Sequence, residues 1–337
     1  VPELLLKSRR YSTSGSTGRP LMFYHDPAFE LRSSAISERM FRTAGDGGQF
    51  PVVLMRGRPH MGFNTKHHFF YLRGYNSVRH RIKEFEKLVL SLEDKTILYG
   101  LGSSILELAR VCDELHISLP LKCVVYHGES LNMYQRKEIE HLLCTDVRSA
   151  YGMSEIRQPA FECEHNRFHC AEDTSYFEVV DEKGMSLPAG ESGRLLITGF
   201  EHRVMPFLRY DTGDIGVLSD DPCPCGRTLR TLEFQGRKMK LLHVGDGRTV
   251  SLLDFSAIFD AYPKSIRQFQ IVRTGECAFR IHVVPGIDLY REGMQEEIVN
   301  IFKFRIHPRA QIEWGIVDSI PEGSNGKAQY FIDMFEK

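Results

Sequence analysis

Four polar clusters and one thiol-imidazole set in this sequence combine residue types able to do chemistry. The first cluster is Tyr11-Ser-Thr-Ser-Gly-Ser-Thr-Gly-Arg-Pro20, rich in Ser, Thr and Gly and free of aliphatic residues, so it cannot be core. Gly15 and Gly18 admit positive φ and let backbone N–H groups approach a ligand closely. Ser14, Ser16 and Thr17 add hydroxyl donors, and Arg19 a fixed charge. Successive N–H groups of such a turn form a concavity suited to phosphate. A flexible Gly/Ser linker has the same composition, and composition alone does not choose between the two.

The other polar clusters are Tyr151-Gly-Met-Ser-Glu155, Arg209-Tyr-Asp-Thr-Gly-Asp214 and Gly326-Lys327. Singly, the second of these reads equally well as a β-turn, and Lys327 as one more solvated lysine. The thiol-imidazole set is Cys163, His169, Cys223 and Cys225. Three Cys and one His are a standard tetrahedral, closed zinc set. His165 and Cys170 compete as ligands, Cys170 ranking lowest because it reads as the start of a strand, and incidental thiols are the plain alternative. Zinc there would clip the β-rich region to the segment after Glu155, with no catalytic part.

Elements must position these groups. Leu21–Tyr24 reads as a short strand and Asp26–Arg42 as an amphipathic helix, with Phe29, Ile36, Met40 and Phe41 near helical spacing. Pro51–Met55, Thr96–Gly100, Leu121–Tyr126 and Asp146–Ala150 read as strands that alternate with helices. That alternation predicts a parallel α/β sheet, with Gly102–Ser104 as the cap of one helix. Ligands of such sheets sit at the carboxyl ends of the strands, which singles out Gly128-Glu129 and Gly152 to Glu155. After Glu155 the pattern turns β-rich, with strands expected at 175–180, 193–198, 207–209 and 215–218. From about Arg237 a small α+β unit follows.

Composition sets bounds. Over 337 residues, 42% are apolar and 26% charged, which is ordinary for a globular protein of one large and one smaller domain. Basic and acidic residues number 43 and 44, for a net charge of −1, against a dedicated nucleic-acid binder. No apolar run approaches the ~18 residues of a membrane span, and the first residues do not read as a signal peptide. The eight cysteines do not form a secreted disulfide pattern; Cys112, Cys123 and Cys144 fall in apolar segments read as buried. A reducing, cytoplasmic setting is expected.

The order of the clusters resembles the adenylate-forming superfamily of acyl-CoA synthetases, luciferases and peptide-synthetase adenylation domains. Thr13–Pro20 looks like its phosphate loop, Tyr151–Glu155 like its Tyr-Gly-x-Ser/Thr-Glu motif, and Tyr210–Asp214 like its Tyr-Arg/Lys-Thr-Gly-Asp motif. Gly236-Arg237 resembles its hinge, and Pro321–Lys327 the segment of its catalytic lysine. Ala160-Phe-Glu-Cys163 and Pro222-Cys-Pro-Cys-Gly-Arg227 are most similar to the phenylacetate–CoA ligase branch, which includes capsule-biosynthesis-type adenylating proteins. With the motifs in order, the linker reading of the opening run is set aside.

The resemblance implies roles. Ser14, Gly15, Ser16, Thr17 and Gly18 would hold the ATP phosphates, and Glu155 a Mg²⁺ ion. Tyr151 and Gly152 would lie at adenine, Gly128 and Glu129 beside the base or the substrate, and Asp214 and Arg237 at ribose or phosphate. Lys327 would be the catalytic lysine and Lys240 the hinge residue. Residues 1–235 would form the large domain, parallel over about 50–155 and β-rich and zinc-clipped over about 156–235, and 236–337 the small C-terminal domain. The implied activity is AMP-forming acid–thiol ligation: a carboxylic acid, aryl or arylalkyl by the branch, becomes an acyl-adenylate and passes to CoA. The alternatives are an amine, hydroxyl or carrier-protein thiol as acceptor, and a catalytically silent nucleotide-binding relative. The family carries a long segment ahead of its phosphate loop that this sequence lacks, so a homodimer or a partner chain covering that region is expected.

Overall fold

The computed structural model describes residues 2–12, 21–56, 68–71, 76–237, 242–250, 252–259, 262, 265–286, 293–321 and 330–335. A short helix α1 (Pro2–Leu6) leads into the antiparallel pair β1 (Arg9–Ser12) and β2 (Met22–His25), in which Ser12 faces Met22 and Arg9 faces His25. Asp26 then starts α2 (Pro27–Ala44): its Oδ1 accepts from the N–H groups of Ala28 and Phe29, and Pro27 opens the helix. A carboxylate cap and a first-position proline are both strong helix-start signals.

The next elements alternate: β3 (Val52–Arg56), β4 (His68–Tyr71), α3 (Asn76–Leu90), β5 (Thr96–Leu101), α4 (Gly102–Glu114), β6 (Leu121–His127), α5 (Met133–Leu143) and β7 (Asp146–Met153). The five strands run parallel in the order β4-β3-β5-β6-β7. Their near-continuous apolar runs follow from burial on both faces. Val53, Met55, Leu98, Val124 and Tyr126 pack with α3 and α4 through Phe85, Val89, Ile105 and Leu108. The alternate residues Val52, Leu54, Ile97, Tyr99 and Val125 pack with α2 through Met40, Phe41 and Ala44. The twofold side-chain period of a strand produces this division.

After β7 the chain reverses into β8 (Arg157–Glu162), β9 (Phe168–Cys170), β10 (Ser175–Val180), β11 (Ser192–Gly199), β12 (Tyr210–Ser219) and β13 (Thr231–Arg237), all paired antiparallel. The β-rich region is therefore no separate layer: among the described residues one sheet of eleven strands runs from β10 to β4, with β7 parallel to β6 and antiparallel to β8.

Some sequence expectations are corrected. Residues 207–209 are not a strand; Phe207 is buried beside Phe23 and His202, and β12 starts at Tyr210. Cys170 closes β9 rather than opening a strand, and Cys144 is exposed. The helix α4 begins at Gly102 without a side-chain cap from Ser103 or Ser104; Glu129 supplies the acceptor, its Oε2 taking the Ser103 N–H at 2.8 Å.

By contacts the chain divides into two units near residue 238. The smaller contains the hairpin β14 (Leu242–Val244) and β15 (Arg248–Val250), then α6 (Leu252–Phe259), β16 (Ile266–Arg273), β17 (Ala278–Pro285), α7 (Met294–Arg305), β18 (Gln311–Ile316) and β19 (Phe331–Asp333). Its sheet has the order β18-β17-β16-β19 over a core of Phe255, Ile258, Phe279, Ile281, Ile298 and Phe302. No described helix is long and apolar enough to cross a membrane.

Candidate active site and metal centre

The turn from β7 to β8 presents Tyr151 to Glu155 at the carboxyl end of the parallel sheet. Gly152 has a backbone reason for its identity: a Cβ there would lie 2.3 Å from the Arg157 carbonyl oxygen. Arg157 itself has φ +69°, a left-handed conformation that costs a non-glycine residue about 1 kcal/mol or more. The reversal is thus tight, and it buries Glu155 to 7% exposure.

Two tyrosine–carboxylate pairs join separate stretches of sequence here. The Tyr151 hydroxyl donates to Asp214 Oδ2 at 2.6 Å, and the Tyr210 hydroxyl to Glu155 Oε1 at 2.7 Å. Asp214 is buried, its N–H bonded to Thr212 Oγ1, and it faces Arg237 across the β12–β13 ladder. The Tyr151 ring is buried against Phe234, with centroids 5.3 Å apart. The register of β6 and β7 sets His127 opposite Ala150, so Gly128 (φ +74°) and Glu129 leave the neighbouring strand end. Glu129 spends one oxygen on the α4 N-terminus, as described above.

Glu155 is also held from behind. Its carbonyl oxygen lies 2.8 Å from His25 Nε2, and His25 Nδ1 lies 3.3 Å from Glu30 Oε1. The same Glu30 oxygen accepts from the Tyr11 hydroxyl at 2.8 Å and from Arg157 Nη2 at 2.6 Å. The Arg157 guanidinium carbon sits 5.0 Å from the centre of the Tyr11 ring. Burial raises the Glu30 carboxyl, but donors on His25, Arg157 and Tyr11 outweigh it and hold the group down to about 2. Beside His25, burial and the neighbouring His25 push His202 down to about 4, so its ring is neutral. Glu30, His25 and Arg157 were not legible as site residues, because nothing in their local sequence marks a contact that only the fold creates.

Of the residues named from sequence, Tyr151, Gly152, Glu155 and Asp214 come together, and Gly128 and Glu129 lie at the adjacent strand end. Ser14, Gly15, Ser16, Thr17, Gly18, Lys240 and Lys327 lie outside the described residues, and Arg237 is placed by its backbone pairing alone.

The thiol-imidazole set is assembled by the far end of β8, β9 and the loop between β12 and β13. The ligand atoms of Cys163, His169, Cys223 and Cys225 all lie within 4.8 Å of one another, with all but Cys225 buried. Cys163 Sγ and Cys223 Sγ are 3.7 Å apart, and Cys225 Sγ and His169 Nε2 are 3.2 Å apart. Tetrahedral zinc bonds of about 2.0–2.3 Å give ligand separations of roughly 3.3–3.8 Å; the 3.7 Å pair falls in that range and the 3.2 Å pair just below it. His169 Nδ1–H donates to the Leu229 carbonyl at 3.2 Å, which fixes the tautomer and turns the Nε2 lone pair toward the thiols. Burial keeps His169 below its ordinary value and therefore neutral, as a ligand must be. Burial raises Cys225, but hydrogen bonds from the Arg227 N–H and guanidinium help bring the thiol below its ordinary value. Of the competing ligands, His165 only donates its backbone N–H to Cys163, and Cys170 packs into the core with Phe177 and Leu195.

The mixed sheet with its smaller α+β unit is the fold of adenylate-forming ligases. A crystal structure of 2-hydroxyisobutyryl-CoA ligase in the postadenylation state, in complex with R3-HIB-AMP, matches with a TM-score of 0.74 at 19% identity, over 96% of this chain and 73% of that one. In sequence, the chain is 35% identical over 244 residues to a phenylacetate-coenzyme A ligase of Thermus thermophilus, covering 64% of this chain and 54% of the relative, about half its length. It is 20% identical over 339 residues to protein CapK of Staphylococcus aureus, covering 96% and 74%. Residues 242–334 match the CapK C-terminal domain family. In these matches the chain is similar to proteins of the phenylacetate–CoA ligase-like branch of the adenylate-forming superfamily.

Proposed function

We propose that this chain activates a carboxylic acid as its acyl-adenylate, releases pyrophosphate, and passes the acyl group to coenzyme A. The observation that carries the reading is the convergence of Glu155 and Asp214, from two separate motifs, each tied to a tyrosine at one strand-end turn. In the reaction a carboxylate oxygen attacks the α-phosphorus and the bond to pyrophosphate breaks. Charge grows on non-bridging and leaving oxygens, so positioned cations carry most of the catalysis.

Asp214 takes the ribose hydroxyls in this reading, with Tyr151 and Gly128 toward adenine and Arg237 toward ribose or phosphate. Residues 14–18 hold the leaving phosphates, and Lys327 supplies a point charge at the acyl-adenylate. Mg²⁺ fits Glu155, a hard oxygen donor whose orientation Tyr210 fixes. When bound, the ion neutralises charge on the departing phosphates. Phenylacetate in the name of the Thermus thermophilus relative favours an aryl or arylalkyl acid. Cys163, His169, Cys223 and Cys225 hold a structural zinc ion apart from the chemistry. Residues 236–337 act as the mobile domain, with Lys240 at the hinge.

The test is ATP–pyrophosphate exchange over a panel of carboxylic acids, with and without CoA. Acid-dependent exchange is expected, with acyl-CoA formed when CoA is added. Lys327→Ala lowers exchange about 10²–10³-fold, the scale for one transition-state charge contact. No exchange with any acid would favour a nucleotide-binding role without catalysis.

A further inference from the structure

Glu30 belongs to none of the motifs, yet three elements around the site meet at its carboxylate. Tyr11 comes from β1, His25 from the end of β2, and Arg157 from the start of β8 just after the Glu155 turn. Strands β1 and β2 flank residues 13–20, the run assigned to the ATP phosphates. His25 continues the connection, its Nδ1 lying 3.3 Å from Glu30 Oε1 and its Nε2 2.8 Å from the Glu155 carbonyl oxygen. Tyr210 donates to the Glu155 carboxylate. Glu155 is thereby restrained at both its carbonyl and its carboxylate, and the restraint on its carbonyl leads back to Glu30.

We propose that Glu30 is a positioning residue: it fastens β1 and β2 to the Glu155 turn, so that Glu155 keeps one geometry. Its place explains why a carboxylate is used. An amide would offer Arg157 a weaker acceptor, and its NH₂ group would compete with the donors that Tyr11 and His25 present. The proposal rests on the adenylation reading for the identity of the bound nucleotide.

The experiment compares the full-length wild type with Glu30→Gln, Glu30→Asp and Tyr11→Phe, by MgATP titration calorimetry and by acid-dependent exchange. Glu30→Gln is expected to raise the Kd of MgATP about tenfold and lower kcat about 10²-fold, the scale of a small misplacement of reacting groups, while the KM of the carboxylic acid stays unchanged. Glu30→Asp recovers part of the loss. Tyr11→Phe, which removes a single arm and keeps the carboxylate, loses about fivefold in kcat and covers the case of an unfolded Glu30→Gln. A lower Tm with wild-type Kd and kcat in the folded variants would make Glu30 merely structural and overturn the proposal. If the wild type binds MgATP but exchanges no pyrophosphate, the adenylation reading fails and the Kd comparison still decides the role of Glu30. A wild type that binds no MgATP overturns both.

Discussion

One six-residue strand, β8, separates two ways of holding side chains in place. At its start the Glu155 turn is held by oxygen and nitrogen groups that satisfy one another: Tyr210 on the carboxylate, His25 on the carbonyl, Glu30 behind His25. Just past its end, Cys163 faces Cys223, Cys225 and His169, groups that attract one another only weakly. A thiol is a poor donor and a poor acceptor, so that cluster gains little by closing on itself. The hydrogen-bonded end is self-supporting, whereas the sulfur end, with zinc bound as proposed, would take its cohesion from the ion. The two ends should therefore fail differently.

The largest effect is expected at the sulfur end. Protein purified without added metal should hold about one equivalent of zinc by plasma emission analysis. Cys223→Ser should lose it and fall in stability by about 4 kcal/mol, roughly 10 °C in Tm for a unit of this size. A metal-free wild type would break the comparison, because both ends would then stand without an ion. At the Glu155 end, Gly152→Ala drives a Cβ into the Arg157 carbonyl. That overpacking costs about 1–3 kcal/mol and shifts the turn, so exchange falls while zinc content stays at the wild-type level. Loss of zinc in this variant would show that the ends communicate along β8. The smallest effect belongs to Tyr210→Phe, which removes one hydrogen bond to Glu155 and should cost about 1.4 kcal/mol, roughly tenfold in exchange and roughly 3 °C in Tm.

The same contrast governs what could be read from the sequence. The strand–helix alternation before Glu155 was legible because buried parallel strands write long apolar runs, such as Thr96–Leu101. Cys163, His169, Cys223 and Cys225 were legible as one group because few other tasks require those residue types near Pro and Gly. Glu30 was not, since a glutamate in the first turn of a helix already has an explanation in the helix dipole. Nor was Glu129 as the acceptor for α4: Gly102-Ser-Ser104 offers hydroxyls where a cap belongs, and only the parallel neighbour β6 brings a carboxylate to that helix end. The continuity of one sheet through β7 also escaped, because periodicity reports a strand but not its partner.

The sulfur end carries a liability that the oxygen-bonded end lacks. Burial pushes the thiols of Cys112 and Cys123 up to about 12 and about 11, which leaves them chemically inert. Cys225 is the partly exposed member of its group and has the lowered thiol, so it is the one most open to an oxidant. Cys163 and Cys223, 3.7 Å apart, are close enough that a bond between them would strip two of the four donors at once. With zinc bound as proposed, oxidation would thus begin at this cluster, and release of the ion would precede any chemical change around Glu155.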